Sequence, residues 1–529
     1  MNAPEQPPGG TRPPPPTVLV NLAVTFVSRF WMLGLAIGCT PVYVHRLGPA
    51  GYGLVGLFLA VQRVAVLLDA GLSQAIKREM AALGRDTTAG SADSHAADAR
   101  SAADLFRTLE LIFWALCGAC FAVVACGGGW LAGAWGAGLA NDAPLLLLVM
   151  AAAIAAQLPH GFYSGVLVGQ QRHATLSVVN MAWHGLRLLG AAAVLTWVSA
   201  TPLAFFLWQL ACGVLVTSAS AVLARRSGPL RGVPARFDWR RFRSVAPYAA
   251  GGTLSAITAA VMTQMDKLII WQQASADDFG HYAIAGSLAG VLFVLISPVQ
   301  AVMFPRLAGA CASEDHAGLA RCYHAGSQLA AVVTLPAAVT GVLFSGELIW
   351  LWLGDREIAA RSAPIASLLF AGVGLNCLSS MPFALQMACG WTRLVNQLSV
   401  AAVVLFAPLI YAACSRYGMV AAAAVWPLFA GSYLAAQVVA MHRRLLPREL
   451  YPWVGGLALA ACCAAAPLAA LRALLAPESR LACAAVVAAG YAASLAATTL
   501  ASPALWRRAR GVVPAAGREP TPERSRRAA

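Results

Sequence analysis

Three arginines lie deep inside long apolar stretches of this sequence, where a charged side chain is costly to place. Arg29, Arg63 and Arg187 each stand about ten to thirteen residues from the polar end of their stretch, or about 15–20 Å along a helix. An arginine at the centre of a bilayer costs at least ~2.5 kcal/mol, so it normally faces a cavity or a partner. No carboxylate of the same region lies at that depth. We therefore predict that the three guanidinium groups bind a polyanion, whose oxygens they contact in bidentate pairs.

Three further charged residues are candidates for the site, and the arginines also have simpler explanations. Lys267 would add a cation from the second half of the chain or form part of an outer gate, while Asp69 and Asp266 would act in gating or coupling. Asp69 could instead pair with Lys77 or Arg78, and the Asp266–Lys267 pair could be solvated near the interface. Each arginine could extend its charged end to the interface, bond to backbone carbonyls or anchor a neighbouring helix.

The composition identifies the elements that position these residues. Of the 529 residues, 59% are hydrophobic and only 11% are charged, whereas a soluble domain has about 25% charged residues. Apolar stretches of about 20 residues, each long enough to cross a hydrocarbon core of about 30 Å, recur along almost the whole chain. The sequence therefore predicts an all-α polytopic membrane protein with about fourteen transmembrane helices.

The polar breaks divide the apolar stretches into two blocks of six helices and a final pair. The predicted spans lie near 18–44, 53–72, 105–126, 144–167, 174–198, 202–224, 246–271, 280–304, 327–353, 363–387, 394–415, 419–441, 451–475 and 481–505. The predicted segments are a disordered cytoplasmic tail (1–17), an N-lobe (18–224), a basic cytoplasmic linker (225–245), a C-lobe (246–441), a C-terminal helix pair (442–505) and a basic cytoplasmic tail (506–529).

The distribution of charge orients the chain in the membrane. Most of the 37 lysines and arginines fall in alternate loops, which places both termini in the cytoplasm. The net charge of +15 does not indicate a nucleic-acid partner, because the basic residues are spread over loops between apolar runs. The seven arginines of 225–245 serve topology, or they contact anionic phospholipid headgroups or the anionic head of a substrate.

Cysteines and glycines give no sign of a metal, a cofactor or catalysis. The thirteen cysteines lie mostly within apolar runs, and the Cys117–Cys120 pair has no second pair to complete a metal site. We interpret the cysteines as small packing residues. The glycine run at 127–129 lacks the strand and helix that a phosphate-binding loop requires. We therefore predict no metal, no cofactor and no enzymatic centre.

Two short patterns recur between the predicted blocks of six. Phe-x6-Gly-x2-Arg ends the fourth helix and returns at the end of the tenth, and a Gly-Tyr pair near the start of the second helix has a Gly-x-Tyr counterpart in the eighth. The residues concerned are Phe162, Gly169 and Arg172 with Phe383, Gly390 and Arg393, and Gly51-Tyr52 with Gly280-His281-Tyr282. Blocks with an even number of spans share one orientation, which predicts pseudo-symmetric lobes around a central cavity.

The most specific part of the sequence is its beginning, from residue 21 to residue 80. It contains, in order, Asn21, Arg46-Leu47-Gly48, Tyr52-Gly53 and Asp69-Ala70-Gly71-Leu72. Further motifs are Gly169-Gln170-Gln171-Arg172, Asp266-Lys267-Leu268, Gly280-x-Tyr282 and Phe304-Pro305-Arg306-Leu307. Together these motifs resemble the polysaccharide-repeat flippases of the multidrug/oligosaccharidyl-lipid/polysaccharide exporter superfamily.

The resemblance implies a function that fits the predicted cationic site. Such a flippase moves undecaprenyl-pyrophosphate-linked oligosaccharide across the bacterial inner membrane by alternating access, for O-antigen or exopolysaccharide synthesis. The lipid pyrophosphate would then be the polyanion bound by Arg29, Arg63, Arg187 and Lys267. The implied partners are this substrate, membrane lipids, and a polysaccharide polymerase or chain-length machinery.

Three other functions remain open at this stage. A flippase for the lipid-linked peptidoglycan precursor also uses a cationic cavity, and sequence chemistry separates it poorly from the first function. A multidrug antiporter of the same superfamily would place carboxylates deep in its first helices, whereas the first helix here has Arg29. A membrane-bound polymerase or ligase would carry catalytic arginines or histidines in a large outer loop, and the predicted outer loop at 127–143 has no basic residue.

Overall fold

The computed structural model describes residues 16–66, 71–83, 92–135, 143–226, 233–313, 315–475 and 479–502. Within these ranges the chain forms helices and their connections, without a β-strand. The helices are α1 (Pro16–Ala65), α2 (Leu72–Leu83), α3 (Ala92–Trp135), α4 (Ala143–Gln157), α5 (Pro159–Gly169), α6 (His173–Trp197), α7 (Pro202–Arg226), α8 (Trp239–Trp271), α9 (Ala276–Ala289), α10 (Val291–Ala312), α11 (His316–Leu343), α12 (Ser345–Leu353), α13 (Arg356–Leu378), α14 (Ser380–Ala388), α15 (Thr392–Leu445), α16 (Leu450–Leu474) and α17 (Arg480–Leu500). The predicted all-α class is confirmed.

The described ranges contain eleven helical stretches that are long and apolar enough to cross a membrane. Two of these stretches contain a non-helical glycine, because α1 is interrupted at Gly48 and α15 at Gly418, where φ is 71° and 78°. Glycine adopts a positive φ without the steric cost of a side chain, so the chain leaves helical geometry at these residues. The polytopic membrane architecture is confirmed, and the count of fourteen spans stays a prediction.

Two helix boundaries differ from those expected. The span expected at 53–72 is interrupted, because α1 ends at Ala65 and α2 begins at Leu72. The cytoplasmic break expected at 84–104 is partly helical, since α3 begins at Ala92 and continues for 44 residues. Alanine has the highest helix propensity of all residues, which explains a helix in this polar, alanine-rich sequence.

Helices α1 to α7, here called the N-terminal half, pack through α1 on α6, α4 on α7 and α2 on α5. Residues 246–441, the C-terminal half, pack through α13 on α15 and through α11 on α10 and α13. The halves meet where α1 crosses α9. A Cβ atom at Gly53 would lie 2.6 Å from the backbone oxygen of Ala276, and one at Gly280 would overlap the backbone of Pro49. Glycines therefore let the two backbones approach at this α1–α9 crossing.

The last two helices, α16 and α17, pack on the C-terminal half. Both helices contact α11. Helix α17 also contacts α12. Arg472 of α16 pairs with Glu347 at 2.9 Å, and the Nη2 of Arg480 donates to the backbone oxygen of Leu351 at 2.8 Å. Both helices lie within a few residues of the predicted spans at 451–475 and 481–505.

One pair of cysteines differs from the packing function expected of all thirteen. Cys311 near the end of α10 and Cys389 after α14 form a disulfide with a separation of 78 residues along the chain. The remaining eleven cysteines are free, and most of them are buried. Buried free cysteines act as small apolar residues, so the expectation holds for most of the set.

Candidate functional site

Arg29 lies between the two halves of the molecule. Its side chain on α1 is exposed, and its Nη1 donates a hydrogen bond to the Oγ of Ser297 on α10 at 3.3 Å. Because α1 belongs to the N-terminal half and α10 to the C-terminal half, Arg29 faces the surface between them, here called the seam. A guanidinium has five N–H donors, so one long bond to a hydroxyl leaves capacity for an anion.

Arg63 also faces the C-terminal half. It is exposed and lies in the last turn of α1, whose helix ends at Ala65. Its guanidinium interacts electrostatically with the carboxylate of Asp266 on α8. The free carbonyl groups of a last helical turn favour a cation. The counter-charge that the N-terminal half lacks at this depth is therefore supplied by the other half.

Asp266 and Lys267 form a second part of the seam. Asp266 is only 6% exposed and accepts a hydrogen bond from the hydroxyl of Tyr282 on α9 at 2.6 Å. The Nζ of Lys267 lies 3.2 Å from the Oδ1 of Asp266 and donates to the backbone oxygen of Thr263 at 3.3 Å. Lys267 is therefore partly neutralised by its neighbour and is a weaker anion site than the two arginines.

Arg187 lies inside the N-terminal half and not at the seam. Its Nη1 donates to the Oε1 of Gln157 at 3.5 Å, and its guanidinium carbon lies 5.3 Å from the ring centre of Trp183. Within the described residues its buried Nε has no hydrogen-bond partner. The same Gln157 oxygen accepts from Gln62 Nε2 at 2.7 Å. The side-chain amide of Gln157 thus links Arg187 to Gln62, the residue that precedes Arg63.

Known proteins are similar to this chain in sequence and in fold. Residues 165–359 match the family described as "Polysaccharide biosynthesis protein". The "Putative O-antigen transporter" of Shigella flexneri is 23% identical over 404 residues, which cover 74% of this chain and 90% of that protein. Both matches support the resemblance to the polysaccharide flippases that the motifs indicate. The resemblance predicted from the motifs is therefore confirmed.

Solved structures show the same flippase-like fold. "Lipid II flippase MurJ, inward closed conformation" has a TM-score of 0.70 at 11% identity and covers 92% of this chain and 100% of its own. An inward-facing multidrug resistance MATE family transporter of the MOP superfamily has a TM-score of 0.64 at 15% identity, over 80% of this chain and 95% of its own. These likenesses show the fold of a multi-pass membrane protein, and the similar proteins are named as transporters or flippases.

Two other polar residues of the N-terminal half are a predicted gating residue, Asp69, and a buried histidine, His160. Asp69 lies outside the described residues, so its gating or coupling function stays a prediction. His160 has partners on both ring nitrogens, the Oγ of Ser220 at 2.8 Å and the Oδ1 of Asn180 at 3.1 Å. This geometry is typical of a buried histidine that joins helices.

Two seam residues received no function from sequence reasoning. Tyr282 stands in the Gly280-x-Tyr282 motif, which was noticed as a family pattern, yet nothing in the pattern indicates that its hydroxyl bonds Asp266. Ser297 lies in an apolar stretch with no local signal at all. In the part of the chain that the structure describes, no group of three His, Cys, Asp or Glu could hold a metal ion.

Proposed function

We propose that this protein moves undecaprenyl-pyrophosphate-linked oligosaccharide units from the cytoplasmic to the periplasmic leaflet of the bacterial inner membrane. The units would serve surface polysaccharide synthesis, as O-antigen or exopolysaccharide. The observation that carries the proposal is the pair of exposed arginines, Arg29 and Arg63, which lie on one half and face the other. The Shigella flexneri relative, named as an O-antigen transporter, supports the substrate class.

The charge at the seam fits a pyrophosphate. Arg29, Arg63 and Lys267 provide three cations, and Asp266 provides one carboxylate, so two positive charges remain uncompensated among these four residues. Cations at membrane depth require a partner, and a pyrophosphate bound at the seam would supply it. Guanidinium groups suit this ligand because their planar fork contacts two oxygens at once.

Alternating access would follow from the arrangement of the halves. The α1–α9 crossing holds them together on the side where α1 is interrupted at Gly48. The orientation predicted from the basic loops makes this the periplasmic side, so the described state would be closed to the periplasm. The likeness to inward structures of a flippase and of a MATE transporter supports this conformation. The halves would rock about the crossing, with both termini in the cytoplasm and with residues 225–245 as a linker.

A peptidoglycan-precursor flippase is the second candidate, because the likeness to MurJ is extensive. Both substrates carry a lipid pyrophosphate, so the seam arginines fit either. A cation-exporting multidrug antiporter fits less well, since the two uncompensated charges at the seam are positive. Contact with a polymerase or chain-length machinery would follow from the first function alone.

Charge removal at the seam tests the proposal. We expect the Arg29→Ala/Arg63→Ala variant to restore less than about a tenth of the surface polysaccharide in a deletion strain, because a tenfold loss needs only about 1.4 kcal/mol of binding. Lipid-linked oligosaccharide should accumulate on the cytoplasmic leaflet, while the membrane abundance of the variant stays normal. Arg472→Ala is the matched control, because this half-exposed arginine pairs with Glu347 away from the seam.

Two results would contradict the proposal in different ways. Full polysaccharide from the Arg29→Ala/Arg63→Ala variant would remove the cationic site. Normal polysaccharide in the deletion strain, together with arrested peptidoglycan synthesis, would instead favour the peptidoglycan precursor as the substrate.

A further inference from the structure

A groove opens on the membrane-facing side of the N-terminal half, between α3, α4 and α7. Its volume is about 570 Å³, within the range of about 300–1,000 Å³ that is typical of ligand sites. Most of its wall consists of small or apolar side chains, among them Gly118, Ala152, Ala155, Ser218 and Ala221. All residues that line the groove belong to the N-terminal half. The groove is therefore separate from the proposed site at the seam.

Charged and aromatic residues stand at one end of this groove. Arg225, Tyr163 and Trp114 line it, and Trp114 Nε1 donates to the hydroxyl of Tyr163 at 3.2 Å. Glu110, whose side chain is 2% exposed, binds Arg225 at 2.6 Å and Arg107 at 2.9 Å. One carboxylate thus fixes two guanidinium groups and neutralises one of their two charges.

Both arginines remain accessible despite this ion pairing. The side chains of Arg225 and Arg107 are 52% and 44% exposed. Each guanidinium has donors beyond the one or two that contact Glu110. One net positive charge with free donors therefore remains on the Arg107–Arg225–Glu110 cluster at the end of an apolar groove, which is the arrangement that an amphiphile with an anionic head would complement.

The basic linker locates this end of the groove at the membrane surface. The backbone N–H of Arg236 donates to Asp104 at 2.6 Å and that of Asp238 to Thr108 at 2.8 Å, so the linker is attached to α3 on either side of Arg107. The exposed aromatic residues Phe237 and Trp239 lie in this attached segment, and Arg240 is next to Trp239 in the sequence. Aromatic rings mixed with arginines are typical of the headgroup level.

We propose that this groove binds one anionic phospholipid from the leaflet on the side of the linker. An acyl chain lies between α3, α4 and α7, and the phosphate contacts Arg225 and Arg107, which Glu110 holds in place. The lipid fills the space left by the small residues and ties α3 to the end of α7 and the linker. This site goes beyond the proposed transport function and does not depend on it.

The acyl-chain part of the site can be tested by filling the groove. A Cβ atom at Gly118 would meet no atom within 4 Å, so Gly118→Leu places a side chain in the groove without a clash. Leucine also has a higher helix propensity than glycine, so α3 is not weakened. Gly455→Leu is the matched control, because this exposed glycine of α16 has equally open surroundings.

The measurement is the binding of phosphatidylglycerol or phosphatidylcholine to the purified full-length protein in detergent, by native mass spectrometry. We expect Gly118→Leu to weaken phosphatidylglycerol binding about tenfold, since the chain loses its place in the groove. Gly455→Leu should bind this lipid as the wild type does. Phosphatidylcholine should bind at least about fivefold more weakly than phosphatidylglycerol to the wild type, because it lacks a net negative charge.

The headgroup part is tested by removing one of its two guanidinium groups without changing the net charge of the cluster. Glu110→Gln/Arg225→Gln removes the arginine together with its buried partner, so no unpaired carboxylate remains. We expect about fivefold weaker phosphatidylglycerol binding in this variant, because the anionic phosphate loses a guanidinium donor. Arg472→Gln/Glu347→Gln is the control, because it removes another half-exposed arginine with its carboxylate, on the C-terminal half.

Three results would overturn the proposal. Unchanged phosphatidylglycerol binding in Gly118→Leu would show that the groove is not the site. Equal binding of phosphatidylcholine, lost equally in Gly118→Leu, would refute an anionic headgroup. Displacement of phosphatidylglycerol by undecaprenyl phosphate at a lower concentration would assign the groove to the substrate chain instead.

Discussion

Two buried carboxylates in this protein each accept a hydrogen bond from a tyrosine hydroxyl at 2.6 Å, yet their cations differ. Glu110 accepts from Tyr163, and Arg107 and Arg225, which belong to the same half, contact it directly. Asp266 accepts from Tyr282 on its own half, but its direct cation is the adjacent Lys267 at 3.2 Å. A second cation, Arg63, approaches it from the opposite half.

The difference separates a structural ion cluster around Glu110 from the electrostatic interaction of Asp266 with Arg63, which movement of the halves can weaken. All the charges around Glu110 come from α3 and α7, so no rearrangement of the halves would separate them. The interaction of Asp266 with Arg63 crosses the seam and would weaken whenever the halves move apart. Breaking the Glu110 cluster should therefore affect stability, whereas breaking the seam should affect transport.

The contact that holds the seam together should give the largest effect. In Gly280→Ala the new Cβ would overlap the backbone of Pro49. Overpacking costs about 1–3 kcal/mol, which lowers the population of the closed crossing by about 5-fold to 150-fold. We expect a similar loss of surface polysaccharide in a deletion strain, with normal membrane abundance.

A second glycine of α9 provides the control for this substitution. A Cβ atom at Gly286 would lie 3.9 Å from the nearest atom, Leu369 Cδ1, so Gly286→Ala should transport normally. Glycine-to-alanine changes favour a helix by about 1 kcal/mol, so neither variant weakens α9 itself. A wild-type amount of surface polysaccharide from Gly280→Ala would contradict a transport function of the α1–α9 crossing.

Glu110→Gln should lower the stability of the protein. The variant leaves two arginines without their carboxylate, and we expect a loss of about 2–3 kcal/mol because both guanidinium groups are half exposed and partly solvated. Thermal unfolding in detergent, followed by tryptophan fluorescence, measures this loss, and membrane abundance should fall with it. Glu347→Gln removes a more exposed partner of one arginine and should cost under about 1 kcal/mol. Equal effects of the two substitutions would contradict a structural cluster at Glu110.

Asp266→Asn should have the opposite profile. Asparagine can still accept from Tyr282, so we expect a stability loss of at most about 1 kcal/mol. Transport should fall about tenfold, which corresponds to about 1.4 kcal/mol, because the seam loses its carboxylate. In a double-mutant cycle with Arg63→Gln, the combined effect should be smaller than the product of the single effects. Strictly multiplicative effects would show that the two residues do not act together.

The sequence reveals the depth of charges but not their partners. Composition predicts the helical membrane class, and the Arg29 and Arg63 positions are found because a charge in an apolar stretch is conspicuous. The partners Ser297 and Asp266 come from the other half of the chain, and no local pattern encodes such a contact. Glu110 escapes notice for the same reason, because Arg225 is distant in sequence.

Arg187 shows that depth alone does not specify which way a side chain faces. It lies at the same predicted level as Arg29, yet its side chain contacts Gln157 and Trp183 within the N-terminal half. Helix rotation decides whether a residue faces the seam or its own half, and an apolar sequence with little amphipathic pattern does not specify that rotation. Depth therefore predicted three binding residues, and the structure brings only two of them to the seam.

Arg187→Gln should consequently have the smallest effect on transport. Because the guanidinium is bound inside one half, we expect less than about a threefold loss of surface polysaccharide, or roughly 0.7 kcal/mol. Stability should fall by about 1 kcal/mol through the lost contact with Trp183. Arg29→Gln, the same substitution at the seam, should reduce transport much more at normal abundance. Equal inactivity of Arg187→Gln and Arg29→Gln at equal abundance would mean that the anion site includes Arg187. The depth of an arginine in the membrane, and not the direction in which its side chain faces, would then decide whether it binds the anion.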